Sequence, residues 1–100
     1  MAMQSGRYEK RSMAAVAVML TGPDPALPTD LTLTENISSR GARVVTKKLW
    51  AANDSLVVKS LEGDLQSAAR VIYRQRIREN VYAIGLELLA PRGNWRRKQS

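Results

Sequence analysis

Apolar and polar residues alternate along most of the chain between residues 13 and 89, which is the period of a β-strand. Six segments show the pattern: 13–21, 30–34, 42–46, 55–61, 66–78 and 81–89. Their connections are short and contain turn-forming residues, such as the three prolines within residues 22–28. No segment shows a convincing amphipathic helical pattern. The sequence therefore predicts an all-β domain whose six antiparallel strands form a small barrel or sandwich, because closure hides the sheet edges.

The same alternation predicts which side chains face the core. In the second strand, Leu31 and Leu33 are expected to point inward, and Thr32 and Thr34 outward. The long fifth strand should present arginines on its outer face. Its inward set, together with that of the sixth strand, is predicted to be Ala69, Val71, Tyr73, Ile77, Tyr82, Ile84, Leu86 and Leu88.

The chain divides into three parts on composition. Residues 1–12 are polar and are expected to form a flexible N-terminal arm, residues 13–91 the barrel, and residues 92–100 a basic, frayed C-terminal tail. Two tryptophans, Trp50 and Trp95, are expected to be packing anchors rather than stacking platforms for bases.

The net charge and the absence of certain residue types exclude several classes of function. Sixteen Lys and Arg against nine Asp and Glu give a net charge of +7, so anionic partners are favoured. The chain has neither cysteine nor histidine, which excludes disulfides, thiolate nucleophiles, Cys/His zinc sites and imidazole catalysis. The carboxylates are scattered and no nucleophile lies beside a base. We therefore expect no enzyme activity, no catalytic residues, no metal site and no cofactor.

Localisation follows from the apolar segments. The run at residues 13–20 follows basic residues, but it is short and lacks a cleavage site of the kind that secretion signals carry. No other stretch approaches the length needed to span a membrane. We expect a cytoplasmic protein without a membrane span.

Two polar motifs carry the candidate chemistry. Arg7 and Arg11 have the spacing Arg-x-x-x-Arg just before the first strand, and Asn36, Ser38 and Gly41 form Asn-x-Ser-x-x-Gly after the second. A guanidinium binds phosphate or the guanine edge through paired hydrogen bonds. Asparagine and serine two residues apart on an extended chain point the same way and can reach one base. The motifs together predict a guanine-nucleotide surface, although separately they could be a solvated tail and a plain turn.

The order of these motifs and strands resembles the PilZ domain, a bacterial receptor module for cyclic di-GMP. Residues 69–74 and 82–89 are similar to the penultimate and closing strands of that family, so the resemblance spans about residues 7–95. It implies a six-stranded antiparallel PilZ-like β-barrel that binds the ligand on its outside, with the N-terminal arm folding over it.

By this resemblance, Arg7 and Arg11 would contact phosphates and guanine, Asn36 and Ser38 would hydrogen-bond a guanine, and Gly41 would allow close approach. Weaker candidates for the same ligand are Lys10, Arg40 and Arg74. Gly6 stands where many members of the family have a further arginine that is associated with a stacked pair of ligands, so one bound ligand is favoured.

The leading hypothesis is a cyclic di-GMP receptor, monomeric or weakly dimeric, whose arm becomes ordered on binding and changes the interaction with a downstream protein partner. One alternative is a basic barrel that binds single-stranded nucleic acid, which is unlikely because only five aromatic residues are available for stacking. The other is a PilZ-like adaptor that does not bind the ligand.

Overall fold

The structure is a computed structural model that describes residues 12–24 and 26–97. Within these residues the regular elements are all strands. They are β1 (Ser12–Met13), β2 (Ala17–Thr21), β3 (Asp30–Ile37), β4 (Gly41–Thr46), β5 (Ser55–Ser60), β6 (Gln66–Arg78) and β7 (Val81–Leu88). The arm residues Arg7, Lys10 and Arg11, for which the sequence predicts ligand contacts, lie outside the described residues.

Antiparallel pairing joins the strands in the order β3-β2-β5-β6-β7-β4, and pairing of β4 with β3 closes the sheet. β1 and β2 run along the same edge of β3 as two parts of one interrupted strand: Met13 lies opposite Asn36, and Ala17 lies opposite Leu33. The result is a closed six-stranded antiparallel barrel. The predicted fold class is confirmed.

The barrel is filled mainly by aliphatic side chains of β2, β4, β5, β6 and β7, while β3 adds the buried Thr34 and the half-buried Ile37. One completely buried residue from each of those five strands is Val18, Val44, Val58, Val71 and Ile84. Removal of this apolar surface from water is the main source of stability for such a core.

The predicted faces of β3 are wrong. Leu31 and Leu33 are 66% and 51% exposed, whereas Thr34 is 3% exposed and lies inside the barrel. Thr34 is accommodated because its hydroxyl accepts a hydrogen bond from the amide of Val16 (2.9 Å) and donates one to the carbonyl of Ala14. The hydroxyl thus serves the main chain where β1 and β2 are interrupted. Because strand alternation has a period of two, a single buried threonine fixes the opposite face for its leucine neighbours.

The predicted inward positions at the end of β6 are also wrong. Tyr73 and Ile77 are exposed, because a register shift after Val71 turns Tyr73 to the outside and the strand then continues beyond the part paired with β5. In β7, the residues Ile84, Leu86 and Leu88 are buried as predicted, and Tyr82 is half-buried.

The prediction of a frayed C-terminal tail is wrong for residues 92–97. Arg92 bridges to Gln66, and the amide of Arg97 donates to the carbonyl of Glu62 (2.8 Å). Trp95 is 8% exposed and packs in the core cluster. The segment after β7 therefore covers one end of the barrel.

Residues 12–24 and 26–97 include no helix with the length and apolarity that crossing a membrane requires.

Candidate functional site

The Asn-x-Ser-x-x-Gly motif forms the hairpin turn between β3 and β4. The amide of Ser38 donates to the carbonyl of Gly41 (2.9 Å), which leaves Ser39 and Arg40 as the two residues of the loop. The Ser38 hydroxyl donates to the same carbonyl and accepts from the amide of Arg40, both at 3.3 Å. Serine and glycine suit such a turn because the short hydroxyl bonds to nearby backbone.

Trp95 fixes this turn from the interior. Its indole N–H donates to the carbonyl of Ser38 (2.8 Å), and its own carbonyl accepts a hydrogen bond from the hydroxyl of Ser60 (2.5 Å). The segment after β7 is therefore attached both to β5 and to the backbone of the candidate site.

Register brings the motif residues together at the hairpin. Ile37 packs against the core and lies opposite Ala42, so strand alternation places half-buried Asn36 on the outer face. Ser38, at the turn, is only 5% exposed. Asn36 lies opposite Arg43 on β4 and opposite Met13 on β1. Of the sequence-predicted site residues, the structure thus brings Asn36, Ser38 and Gly41 together, with exposed Arg40 at the tip of the same turn.

A cluster centred on Arg43 continues this outer face across the sheet. The guanidinium of Arg43 donates to a carboxylate oxygen of Glu35 (2.6 Å), to the hydroxyl of Tyr73 (3.0 Å) and to the side-chain oxygen of Gln75 (3.0 Å). It also lies 5.8 Å from the centre of the Tyr73 ring. The hydrogen bond to Glu35 is the main cause that raises the pKa of Arg43, followed by the hydrogen bond to Tyr73. An arginine is already charged near neutral pH, so Arg43 contributes a positive charge to the outer face there.

Gly85 provides the space for this cluster. A Cβ atom at Gly85 would lie 2.2 Å from Cε2 of Tyr73, so the ring covers the glycine of the neighbouring strand. Glu35 reaches Arg43 because a register shift between Thr34 and Asn36 leaves it as the extra residue of β3. The cluster was not predicted from the sequence. The one sequence signal for it is the glycine inside an apolar strand, which indicates that a bulky side chain crosses there.

The structure does not bring Arg74 to this group. Arg74 lies opposite Ile84, whose side chain is inside the barrel, so it is on the other face of the sheet from Tyr73. Its guanidinium lies 5.6 Å from the centre of the Tyr82 ring.

A recess lies at the other end of the barrel, between the loop before β3 and the loop after β4. It is lined by Leu27, Pro28, Lys48, Leu49 and Trp50, among others. Its polar groups are engaged with one another: the Trp50 indole donates to Asp30 (2.9 Å), and the ammonium of Lys48 donates to the carbonyl of Pro28 (2.7 Å). These bonds hold the two loops together, which is a structural role.

Within residues 12–24 and 26–97, no group of three or more Asp and Glu residues is arranged to hold a metal ion. Comparisons of the chain with models of known protein families and with curated proteins give no match.

Proposed function

We propose that this protein is a PilZ-like receptor that binds cyclic di-GMP on the outer face of the β3–β4 hairpin and passes the signal to a protein partner. The observation that carries the proposal is the pairing of β1 with β3, in which Ser12 lies opposite Ile37. Ile37 stands between Asn36 and Ser38, and Arg11 is the residue before Ser12 in the chain. This pairing supports the proposal that the two motifs act on the same ligand.

The chemistry of the residues in the two motifs suits the ligand. Cyclic di-GMP carries two phosphate charges and two guanines. Arginine offers a planar fork to phosphate oxygens and to the O6 and N7 acceptors of guanine, whereas lysine offers charge without that geometry. Asn36 adds an amide and Ser38 a hydroxyl beside them. The charge of +7 favours the approach of a dianion in the cytoplasm.

The surroundings of the hairpin favour a pre-organised platform. Trp95 fixes the backbone of Ser38, and the Arg43 cluster stiffens the neighbouring outer face. A rigid surface on one side means that the ordering cost of binding falls mainly on the arm, so a moderate affinity is expected. Ordering of the arm would then be the change that a partner detects.

Titration calorimetry with cyclic di-GMP tests the proposal. We expect binding by the unmodified protein, loss of binding in Arg11→Ala, and retained binding in the control Lys59→Ala, whose side chain is exposed on β5. The circular dichroism spectrum should be unchanged in both variants. Retained binding by Arg11→Ala would remove that residue from the site, and failure of the unmodified protein to bind would leave the adaptor hypothesis.

A single-stranded oligonucleotide of matched charge is the second titrant. The exposed arginines of β6 favour this alternative, but exposed stacking aromatics are few, since Trp95 is buried and Trp50 is half-buried. Binding of the oligonucleotide without binding of the cyclic dinucleotide would replace the receptor with a nucleic-acid-binding barrel.

A further inference from the structure

Beyond the proposed ligand site, β6 has an unpaired edge. β6 is 13 residues long, but β5 pairs only with its residues 66–70, whereas β7 pairs along residues 69–78. Val71 still bonds to the loop before β5: its amide donates to the carbonyl of Asp54 (2.9 Å), and its carbonyl accepts from Asn53 (2.7 Å). From Ile72 to Arg78, no described residue pairs with that side of β6.

This edge is long enough to accept another strand. Seven residues at about 3.3 Å each span about 23 Å, which is the length of an ordinary strand. Every residue from Ile72 to Asn80 is exposed. Register shifts at Ile72 and Ile77 interrupt the alternation near the two ends of the edge. Between them, from Tyr73 to Arg76, alternate residues direct their amide and carbonyl groups to the same side and present unused donors and acceptors to a partner backbone.

The side chains of the edge define what can pair with it. Arg74, Arg76 and Arg78 are exposed and form none of the ion pairs found among the described residues, while Arg70, nearer the barrel, is paired with Glu87 (2.8 Å). Residues 66–78 include no acidic residue. Two copies of this edge would bring arginines against arginines, and cross-strand like charges are destabilising.

We infer that the Ile72–Arg78 edge of β6 is a docking site for an extended, acidic segment of a partner protein, which adds to the sheet as a further strand. Backbone hydrogen bonds would supply the strand pairing. Carboxylates at every second position would meet Arg74 and Arg76, which lie on one face opposite Ile84 and Tyr82. The contact of Arg74 with the Tyr82 ring directs its guanidinium before binding, and exposed Ile72 and Ile77 add apolar contact.

A peptide is favoured over nucleic acid by the unused backbone groups. Phosphate oxygens can accept from the free amides of the edge but offer no donor to its free carbonyls, so nucleic acid would not satisfy both kinds of group. They have a direct role when a strand is added.

The experiment measures binding of a fluorescent peptide in which glutamate and threonine alternate. Its length of about eight residues is close to that of the edge. We expect binding to the unmodified protein without cyclic dinucleotide, and no binding of the lysine–threonine counterpart. The double variant Arg74→Glu and Arg76→Glu should bind the acidic peptide at least about tenfold more weakly. The control Lys59→Glu with Arg92→Glu changes the net charge equally on exposed residues elsewhere and should have a smaller effect.

Two peptides with N-methyl groups on alternate residues, in opposite phases, separate strand addition from plain charge attraction. Only the phase whose methyl groups point away from β6 should bind, and the bound peptide should slow amide exchange within residues 72–78. Equal binding of both phases, equal loss in the two charge-reversed variants, or tighter binding of an oligonucleotide of matched charge would overturn the inference. Because the methylated peptides use the unmodified protein, misfolding of a variant cannot decide the result.

Discussion

Replacement of Trp95 tests whether residues 92–97 belong to the barrel and support the proposed ligand site. The side chain is 8% exposed, and removing a buried tryptophan typically costs about 3–5 kcal/mol of unfolding free energy. A domain of this size is stabilised by about 5–15 kcal/mol in total. Trp95→Ala should therefore remove a large part of the stability, even though Trp95 stands only five residues before the end of the sequence.

Trp95→Phe separates packing from the hydrogen bond. Phenylalanine keeps most of the apolar contact but loses the indole N–H that donates to the Ser38 carbonyl at 2.8 Å. The loss of a hydrogen bond that leaves a shielded acceptor without its donor costs about 1–2 kcal/mol. The released turn should also weaken cyclic di-GMP binding by roughly threefold, since a less rigid site pays a larger ordering cost.

Urea unfolding followed by circular dichroism measures the stability, and calorimetry measures the ligand affinity. Trp50→Phe is the matched control: it loses the indole bond to Asp30 at the other end of the barrel, so it should lower stability but leave ligand affinity unchanged. A Trp95→Ala variant within about 0.5 kcal/mol of the unmodified protein would refute the docking of residues 92–97. An equal loss of affinity in both phenylalanine variants would refute the link to the Ser38 turn.

Three further substitutions test the outer face and the recess beside Trp50. Urea unfolding measures the free energy of unfolding of each variant. Gly85→Ala should lower the free energy of unfolding by about 1–2 kcal/mol, because its Cβ would lie 2.2 Å from the Tyr73 ring. Adding Tyr73→Ala should remove that clash. Additive effects of the two substitutions on stability would contradict the packing. Arg43→Lys should cost about 1 kcal/mol, since an ammonium cannot reproduce the three directed bonds, and no loss would mean that the cluster does not stabilise the fold. Asp30→Ala should cost about 1–2 kcal/mol by releasing the Trp50 indole, and an unchanged Trp50 fluorescence would argue against that contact.

The strands were predictable because the alternation of apolar and polar residues is a local pattern that can be read within each segment. β6 runs over the residues that alternation predicted, and the all-β class follows from six such segments. The faces of β3 were not predictable, because the side that Thr34 takes depends on the backbone of Ala14 and Val16, 18 to 20 residues away. A local pattern of leucine and threonine favours burying leucine, and long-range hydrogen bonding reversed it.

In the candidate site, too, local features were predictable from the sequence and long-range contacts were not. The turn residues Asn36, Ser38 and Gly41 were found from the sequence because their spacing lies within one hairpin. The contacts of Arg43 with Tyr73 and Gln75 join residues 30 and 32 positions apart, and only the register of β4, β7 and β6 brings them together. The position of Trp95 likewise depends on how the chain returns over the barrel after β7.

The break between β1 and β2 makes the pairing of β1 with β3 independent of the pairings of β2. At Val16 the Thr34 hydroxyl replaces a backbone acceptor, while the amides of Thr34 and Ala14 still donate to the carbonyls of Val16 and Glu35. β1 therefore joins β3 through few bonds, and the partners of β2 do not depend on it. Loss of the pairing at Ser12 and Met13 would therefore leave the closed six-stranded sheet intact.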